Sequence, residues 1–192
     1  MRNDNRLEIP SREAIGRVVA AHDERGARRA VAPSANEQLA IVDALYRFGA
    51  GQDLRDRTLF ESAFAPDAVV DFTGPARRLG ATLPVFSGRK AIADAIFAAI
   101  AGLDTTHTVT NPRVTAFDGE HATLFALVEA QHLPRDDHGR HLLLKNIYLS
   151  EVARHGGRWV VERMQIDNVW LDGDPTVLFP SPAPGREETP HA

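Results

Sequence analysis

Cysteine is absent from the 192 residues, which excludes disulfides, Cys-ligated zinc and thiol nucleophiles. No run approaches the roughly 18 consecutive apolar residues of a membrane helix. Met1 to Pro10 is charged and lacks the apolar stretch of a secretory signal, so a cytoplasmic location is expected. Basic charge is in short supply: 22 Lys+Arg stand against 26 Asp+Glu, for a formal net charge of −4. That balance gives no electrostatic pull toward nucleic acid or anionic lipid, and neither is expected as a partner. The P-loop, the glycine-rich dinucleotide fingerprint, H-E-x-x-H and G-x-S-x-G are all missing. What is present is 43% hydrophobic and 25% charged, enough apolar material for one core. Any chemistry has to come from scattered His and carboxylate groups.

Three regions are expected. Residues 1–33 read as an extension, with Ile15, Val18 and Val19 on one side of a short helix or as part of a loose tail. Residues 34–175 read as the domain, and 176–192 as a proline-rich tail. Ser34-Ala-Asn-Glu37 has the form of a capping box. Behind it, Ile41, Leu45 and Phe48 set an apolar stripe on a first helix ending near Gly49–Gly51. A second short helix carries Leu59, Phe60 and Phe64, and a strand follows over Ala68–Phe72. Gly74–Val85 reads as loop. Ser87 is expected to cap a third helix through Ile92, Ile96 and Ile100.

From Thr105 the period changes to that of strands. Four segments rich in Val, Leu, Ile and Thr (Thr105–Phe117, Ala122–His132, His141–Arg154, Trp159–Trp170) are separated by turn residues. Helices followed by an antiparallel meander argue α+β. His107 and Val109 share one parity and Val114 and Ala116 the other, so a bulge is expected near Asn111-Pro112.

A family resemblance rests on Tyr46…Asp53-x-x-Asp56, Phe64-Ala-Pro-Asp-Ala68, Thr105-Thr-His107-x-x-x-Asn111-x-x-Val114 and Gly157-Arg-Trp159. Together these resemble the SnoaL-like group of the NTF2-like superfamily over about 34–175. The closest residue spacing is that of scytalone dehydratase and lindane (hexachlorocyclohexane) dehydrochlorinase. The resemblance implies a cystatin-like cone, three helices packed on a curved, mostly antiparallel sheet, and assembly as a homodimer or homotrimer. It also implies an Asp–His working pair at Asp53 and His107, with His132 where the dehydratase has a second His. The dehydratase's two carbonyl-polarising tyrosines are replaced here, since Gln52 and Phe72 stand at those places. Arg163 corresponds to the dehydrochlorinase's pocket arginine.

The chemistry suits these residue types. Proton abstraction needs a base that titrates near the working pH, and His meets that unaided. A carboxylate behind the imidazole fixes its tautomer and stabilises the imidazolium that forms. The expected catalytic residues are Asp53, His107 and His132, the last assisting a leaving group. Tyr46, Phe48, Val70, Phe72, Ile96, Phe125, Tyr148 and Arg163 are expected to line a pocket, and Asn146 could supply a hydrogen bond to the ligand. Plainer readings stand beside these: Asp53 as a cap of the next helix, His107 as a structural strand residue, His132 as a rim residue, Tyr148 as core. Trp159 reads as packing, and Trp170 as packing or pocket mouth. His132, His138 and His141 have a spacing that permits a metal, but hairpin histidines usually face solvent, and no metal is expected. The function expected is a cofactor-independent lyase, dehydratase-like or dehydrohalogenase-like, or an isomerase acting on a hydrophobic cyclic small molecule. The alternatives are a non-catalytic binding protein of the same shape and a dimerising domain with a filled cone.

Overall fold

The computed structural model describes residues 32–179. The expected helix near Ile15 to Val19 and the tail beyond 179 lie outside the described residues. Ser34 caps the first helix, α1 (Ala35–Asp53), its hydroxyl accepting from the Glu37 N–H at 3.2 Å. The reciprocal half of the capping box is not made, because the Glu37 carboxylate takes the Arg154 guanidinium at 2.5 Å instead. α1 continues through Gly49 and Gly51 instead of ending there. Those glycines permit close approach: a Cβ on Gly51 would lie 2.5 Å from the Phe60 nitrogen, and one on Gly49 3.1 Å from His107 Cβ.

Asp56 caps the short helix α2 (Arg57–Glu61) by accepting from Leu59 N–H at 2.9 Å, so that role does not fall to Asp53. Phe64 opens strand β1 (Phe64–Asp71) and is not helical. The segment expected as loop begins with a helix, α3 (Thr73–Arg78). Pro75 is tolerated in its first turn, where an N–H has no helical partner, and Asp71 accepts from Thr73 N–H at 2.8 Å. β2 (Phe86–Ser87) leads to α4 (Arg89–Ala99). The N-cap of α4 is Gly88, with φ 86° and no side-chain cap, so Ser87 does not serve.

Strands β3 (Leu103–Phe117), β4 (His121–Pro134), β5 (Leu142–His155) and β6 (Arg158–Gly173) form the expected meander. The sheet order is β2-β1-β6-β5-β4-β3, antiparallel throughout except for the β1–β6 pair. The bulge lies where parity requires it: register shifts between Thr110 and Arg113, with Asn111 at φ 51°. This is the NTF2/cystatin-like α+β cone, with four α-helices among the described residues where three were expected.

Alternation of side chains places Leu124, Ala126 and Val128 of β4 and Tyr148 and Val152 of β5 on the concave face. There they meet Ile41, Leu45 and Phe48 of α1 and Phe60 of α2. Arg47 is buried in this layer. Its guanidinium donates to the Ser62 carbonyl and to the Trp159 carbonyl, the latter at 2.5 Å, tying α1 to the sheet. Past residue 175 the chain turns through Pro175–Val177, and Val177 packs with Leu103, Leu142 and Leu144. The folded unit therefore reaches beyond the expected boundary at 175. Among the described residues no helix is long and apolar enough to cross a membrane.

Candidate active site

Asp53 is the last helical residue of α1, and the turn after it aims the chain at β3. The Arg55 N–H bonds to the Gln52 carbonyl at 3.2 Å and the Asp56 N–H to the Gly51 carbonyl at 2.9 Å, the paired bonds of a Schellman ending. Arg55 takes the left-handed position at φ 58°, usually glycine's. Its guanidinium donates to the Leu103 carbonyl at the start of β3. Helix end and strand are thus pinned two residues from Asp53 and four from His107.

The Asp53 carboxylate accepts three hydrogen bonds from β3: His107 Nδ1 at 2.7 Å, His107 backbone N–H at 2.7 Å and the Thr105 hydroxyl at 2.9 Å. Burial pushes the Asp53 carboxyl up, but the hydrogen bonds and charge of His107, with Thr105, outweigh it and leave the group below its usual value. The negative pole of a 19-residue helix also lies here, favouring positive charge on the neighbouring ring. A carboxylate only accepts, so His107 Nδ1 carries the hydrogen. That leaves Nε2 as the lone pair on a ring whose side chain is 4% exposed and which lines a cavity.

The cavity has a volume of about 230 Å³ and an apolar lining. Phe48 from α1, Phe72 after β1 and Ile96 from α4 form much of its wall, with Tyr148 from β5. His132 is buried on the same face, its ring centroid 6.0 Å from that of His107 and nearly perpendicular to it. Burial, and next the His107 charge, push His132 down to about 4. Its Nδ1 lies 3.3 Å from the Leu142 carbonyl, so Nδ1 carries the hydrogen and Nε2 is an acceptor. A neutral imidazole in that tautomer does not deliver a proton to a leaving group, which revises the role expected of it.

Four expected lining residues lie elsewhere. Tyr46 is 44% exposed on the outer side of α1. Phe125 has the opposite parity from Leu124 and Ala126 and faces outward from the sheet. Arg163, 40% exposed, pairs with Glu151 across strands at 3.9 Å. Val70 is fully buried in the core behind the wall. Trp170 is exposed, with the Lys145 ammonium 5.5 Å from its ring. His138 and His141 are exposed and meet Asp104 and Asp172, apart from the inward-facing His132.

Sequence reasoning missed several lining residues. Gln52 is buried at the cavity with its Nε2 donating to the Phe48 carbonyl at 3.1 Å. Leu144 and Ile166 also line it; strand parity with Asn146 and Tyr148 would have found Leu144. Pro75, Leu79 and Leu83 line it from a segment read as loop, and Leu178 and Phe179 from one read as tail. No periodic signal marks either segment.

The sequence pattern of the SnoaL-like domain matches residues 33–165. A curated relative, "Terrestric acid biosynthesis cluster protein E" of Penicillium crustosum, is 30% identical over 151 residues, covering 74% of this chain and 89% of its own. Among solved structures, a proposed aromatic ring hydroxylase from Novosphingobium aromaticivorans superposes with TM-score 0.66 at 24% identity, over 76% of this chain and 98% of that one. A hexachlorocyclohexane dehydrochlorinase from Novosphingobium barchaimii superposes with TM-score 0.60 at 18% identity, over 76% and 94%. At these identities the two structures share the fold alone. The match over most of the chain, together with the fungal relative, makes this protein a member of the SnoaL-like domain family.

Proposed function

We propose that the protein is a cofactor-independent lyase or isomerase that removes a carbon-bound proton from a hydrophobic cyclic small molecule. The observation that carries this reading is the 2.7 Å contact between Asp53 and His107 Nδ1 at the wall of an apolar cavity. His107 Nε2 takes the proton, and Asp53 holds the tautomer and balances the imidazolium. The dry surroundings strengthen both interactions relative to water. His132 accepts a hydrogen bond from a ligand hydroxyl and orients it. Dehydration is the favoured outcome, with dehydrohalogenation and double-bond isomerisation beside it. A relative named for a biosynthesis cluster and a structural neighbour that is a dehydrochlorinase fit small-molecule chemistry of this kind.

The test is turnover of hydroxylated and chlorinated alicyclic compounds, followed by mass spectrometry. His107→Ala and Asp53→Asn are each expected to lower the rate by about 10²- to 10⁴-fold. Activity undiminished in both variants would sink the mechanism. A second reading, a non-catalytic small-molecule-binding protein, is favoured by one observation: Gln52 and Phe72 stand at the cavity where the dehydratase pattern has tyrosines. Ligand recovered chemically unchanged after prolonged incubation would decide for it.

We also infer a homodimer or homotrimer formed through the outer face of the sheet. Phe125 pairs across strands with Leu149, and Leu127 with Ile147. All four are only partly covered.

A further inference from the structure

A second hollow, of about 690 Å³, opens on the outside of the fold and shares no lining residue with the cavity at His107. It is bounded by α2, the start of β1, the first residue of α4 and the β5–β6 hairpin. Its ionisable lining residues are Arg57, Glu61, Arg89, His155 and Arg158. Three guanidiniums therefore stand against one carboxylate, in a chain whose formal net charge is −4. The hollow is a basic island on an acidic molecule.

The basic groups differ in what already holds them. Arg57 bonds to Glu61 and to Asp94, each at 2.7 Å, so its charge is answered within the fold. His155 meets Glu162 at 3.1 Å. Arg89 and Arg158 meet no carboxylate and make no side-chain hydrogen bond among the described residues. Local structure sets both in place. Gly156 and Gly157, at φ 57° and 82°, make the tight turn that puts Arg158 directly opposite His155 on the paired strand. Arg89 is the first residue of α4, behind Gly88 at φ 86°. Arg89 is half-buried and Arg158 exposed. A guanidinium stays charged at any physiological pH and offers N–H donors with no acceptor. Two such groups without a carboxylate, lining one hollow, favour an anion with more than one negative charge.

We propose that this hollow binds the phosphate group of a phosphorylated small molecule, with Arg89 and Arg158 as its anchors. Thr58 of α2, also in the lining, adds a hydroxyl. Donors on α2, α4 and β6 suit the terminal oxygens of a phosphate monoester better than the plane of a carboxylate. The hollow is far larger than a phosphate and leaves room for the body that carries it. The cavity at His107 does not compete for such a ligand, because no Lys, Arg, Asp or Glu lines it. The site goes beyond the proton-abstraction reading, and its failure would leave that reading untouched.

The test titrates glycerol 3-phosphate into the full chain by calorimetry at low ionic strength, with glycerate as a similar body bearing one carboxylate. The wild type is expected to bind the phosphate probe saturably, to bind glycerate more weakly, and to lose affinity as salt is raised. Arg89→Gln and Arg158→Gln are each expected to weaken binding by about 3- to 20-fold, the range for a partly solvated charge-assisted hydrogen bond. Neither side chain ties down another part of the fold, so both variants are expected to keep the wild-type urea midpoint. That separates loss of the site from loss of structure. Arg77→Gln removes the same charge from an exposed position of α3 outside the hollow, and is expected to bind as the wild type does. The proposal is overturned if the wild type shows no saturable binding or holds glycerate as tightly as the phosphate. Equal losses from Arg77→Gln and Arg158→Gln would also overturn it, since the protein would then be responding to net charge alone.

Discussion

The two imidazoles of the cavity wall are of one type in unlike settings. His107 has a carboxylate at 2.7 Å; His132 has a backbone carbonyl and a dry neighbourhood that bring it down to about 4. Because the folded value of His132 lies below its ordinary 6.5, the unfolded chain binds more protons between the two. Stability from this group is therefore full above pH 6.5 and is lost as the pH falls toward about 4, by about 3 kcal/mol over the whole window. Urea unfolding of the wild type at neutral pH and near pH 4.5 is expected to show most of that loss, and His132→Gln to show much less of it. Asp53 acts lower on the scale: its folded value is depressed, so its contribution is present above its ordinary 3.8 and disappears as the pH drops through the folded value. The Asp53–His107 pair was singled out by the family resemblance; the residues alone favoured a cap for Asp53 and a structural strand role for His107. The protonation roles were not legible. They depend on which carbonyl or carboxylate meets each nitrogen, and that is settled only through space.

At the scale of elements, the site depends on how closely α1 approaches its neighbours. The Gly49–Gly51 pair reads as a helix terminator by composition, yet both residues are helical, and at Gly51 contact with the α2 backbone requires glycine. Gly51→Ala would drive a methyl group into the backbone of α2, with an expected loss of about 1–3 kcal/mol in chemical denaturation. The β3 bulge is the complementary case, visible in the sequence as a parity break and present at Asn111. Asn111 is exposed with φ 51°, a backbone region that Asn and Gly enter and β-branched residues avoid. Asn111→Val is expected to cost about 1–2 kcal/mol, and Asn111→Gly close to nothing, by the same measurement. The four long strands announce themselves because, at 14 to 16 residues, each holds stretches of alternation long enough to read on either side of its irregularities. α3 has six residues and carries Gly74 and Pro75, so its helical state comes from packing and capping and leaves no period to read.

The whole molecule presents two faces of different character. The concave face is closed by α1, α2 and α4, while the convex face carries the Phe125–Leu149 and Leu127–Ile147 pairs. Their cross-strand stacking makes one contiguous apolar patch, the kind of surface that marks an interaction site. Leu149→Glu is expected to convert the assembly to monomer in analytical ultracentrifugation without altering the cavity. A wild-type protein that sediments as a monomer would remove the basis for the assembly inference. Arg163, expected inside on the strength of family spacing, belongs to this convex face and pairs with Glu151. A shift of one residue in a strand reverses the side it addresses, which is why pattern alone misplaced both Arg163 and Phe125.

The cavity wall also divides by origin. His107, His132, Asn146 and Tyr148 stand on long paired strands, whereas Leu79, Leu83, Leu178 and Phe179 come from short irregular segments. Substitutions in those segments can therefore remodel which guests are admitted while leaving the strand-borne polar side chains untouched. On the proposed function, specificity can diverge within one scaffold without disturbing the Asp53–His107 pair, the evolutionary outcome such a division of labour makes easy.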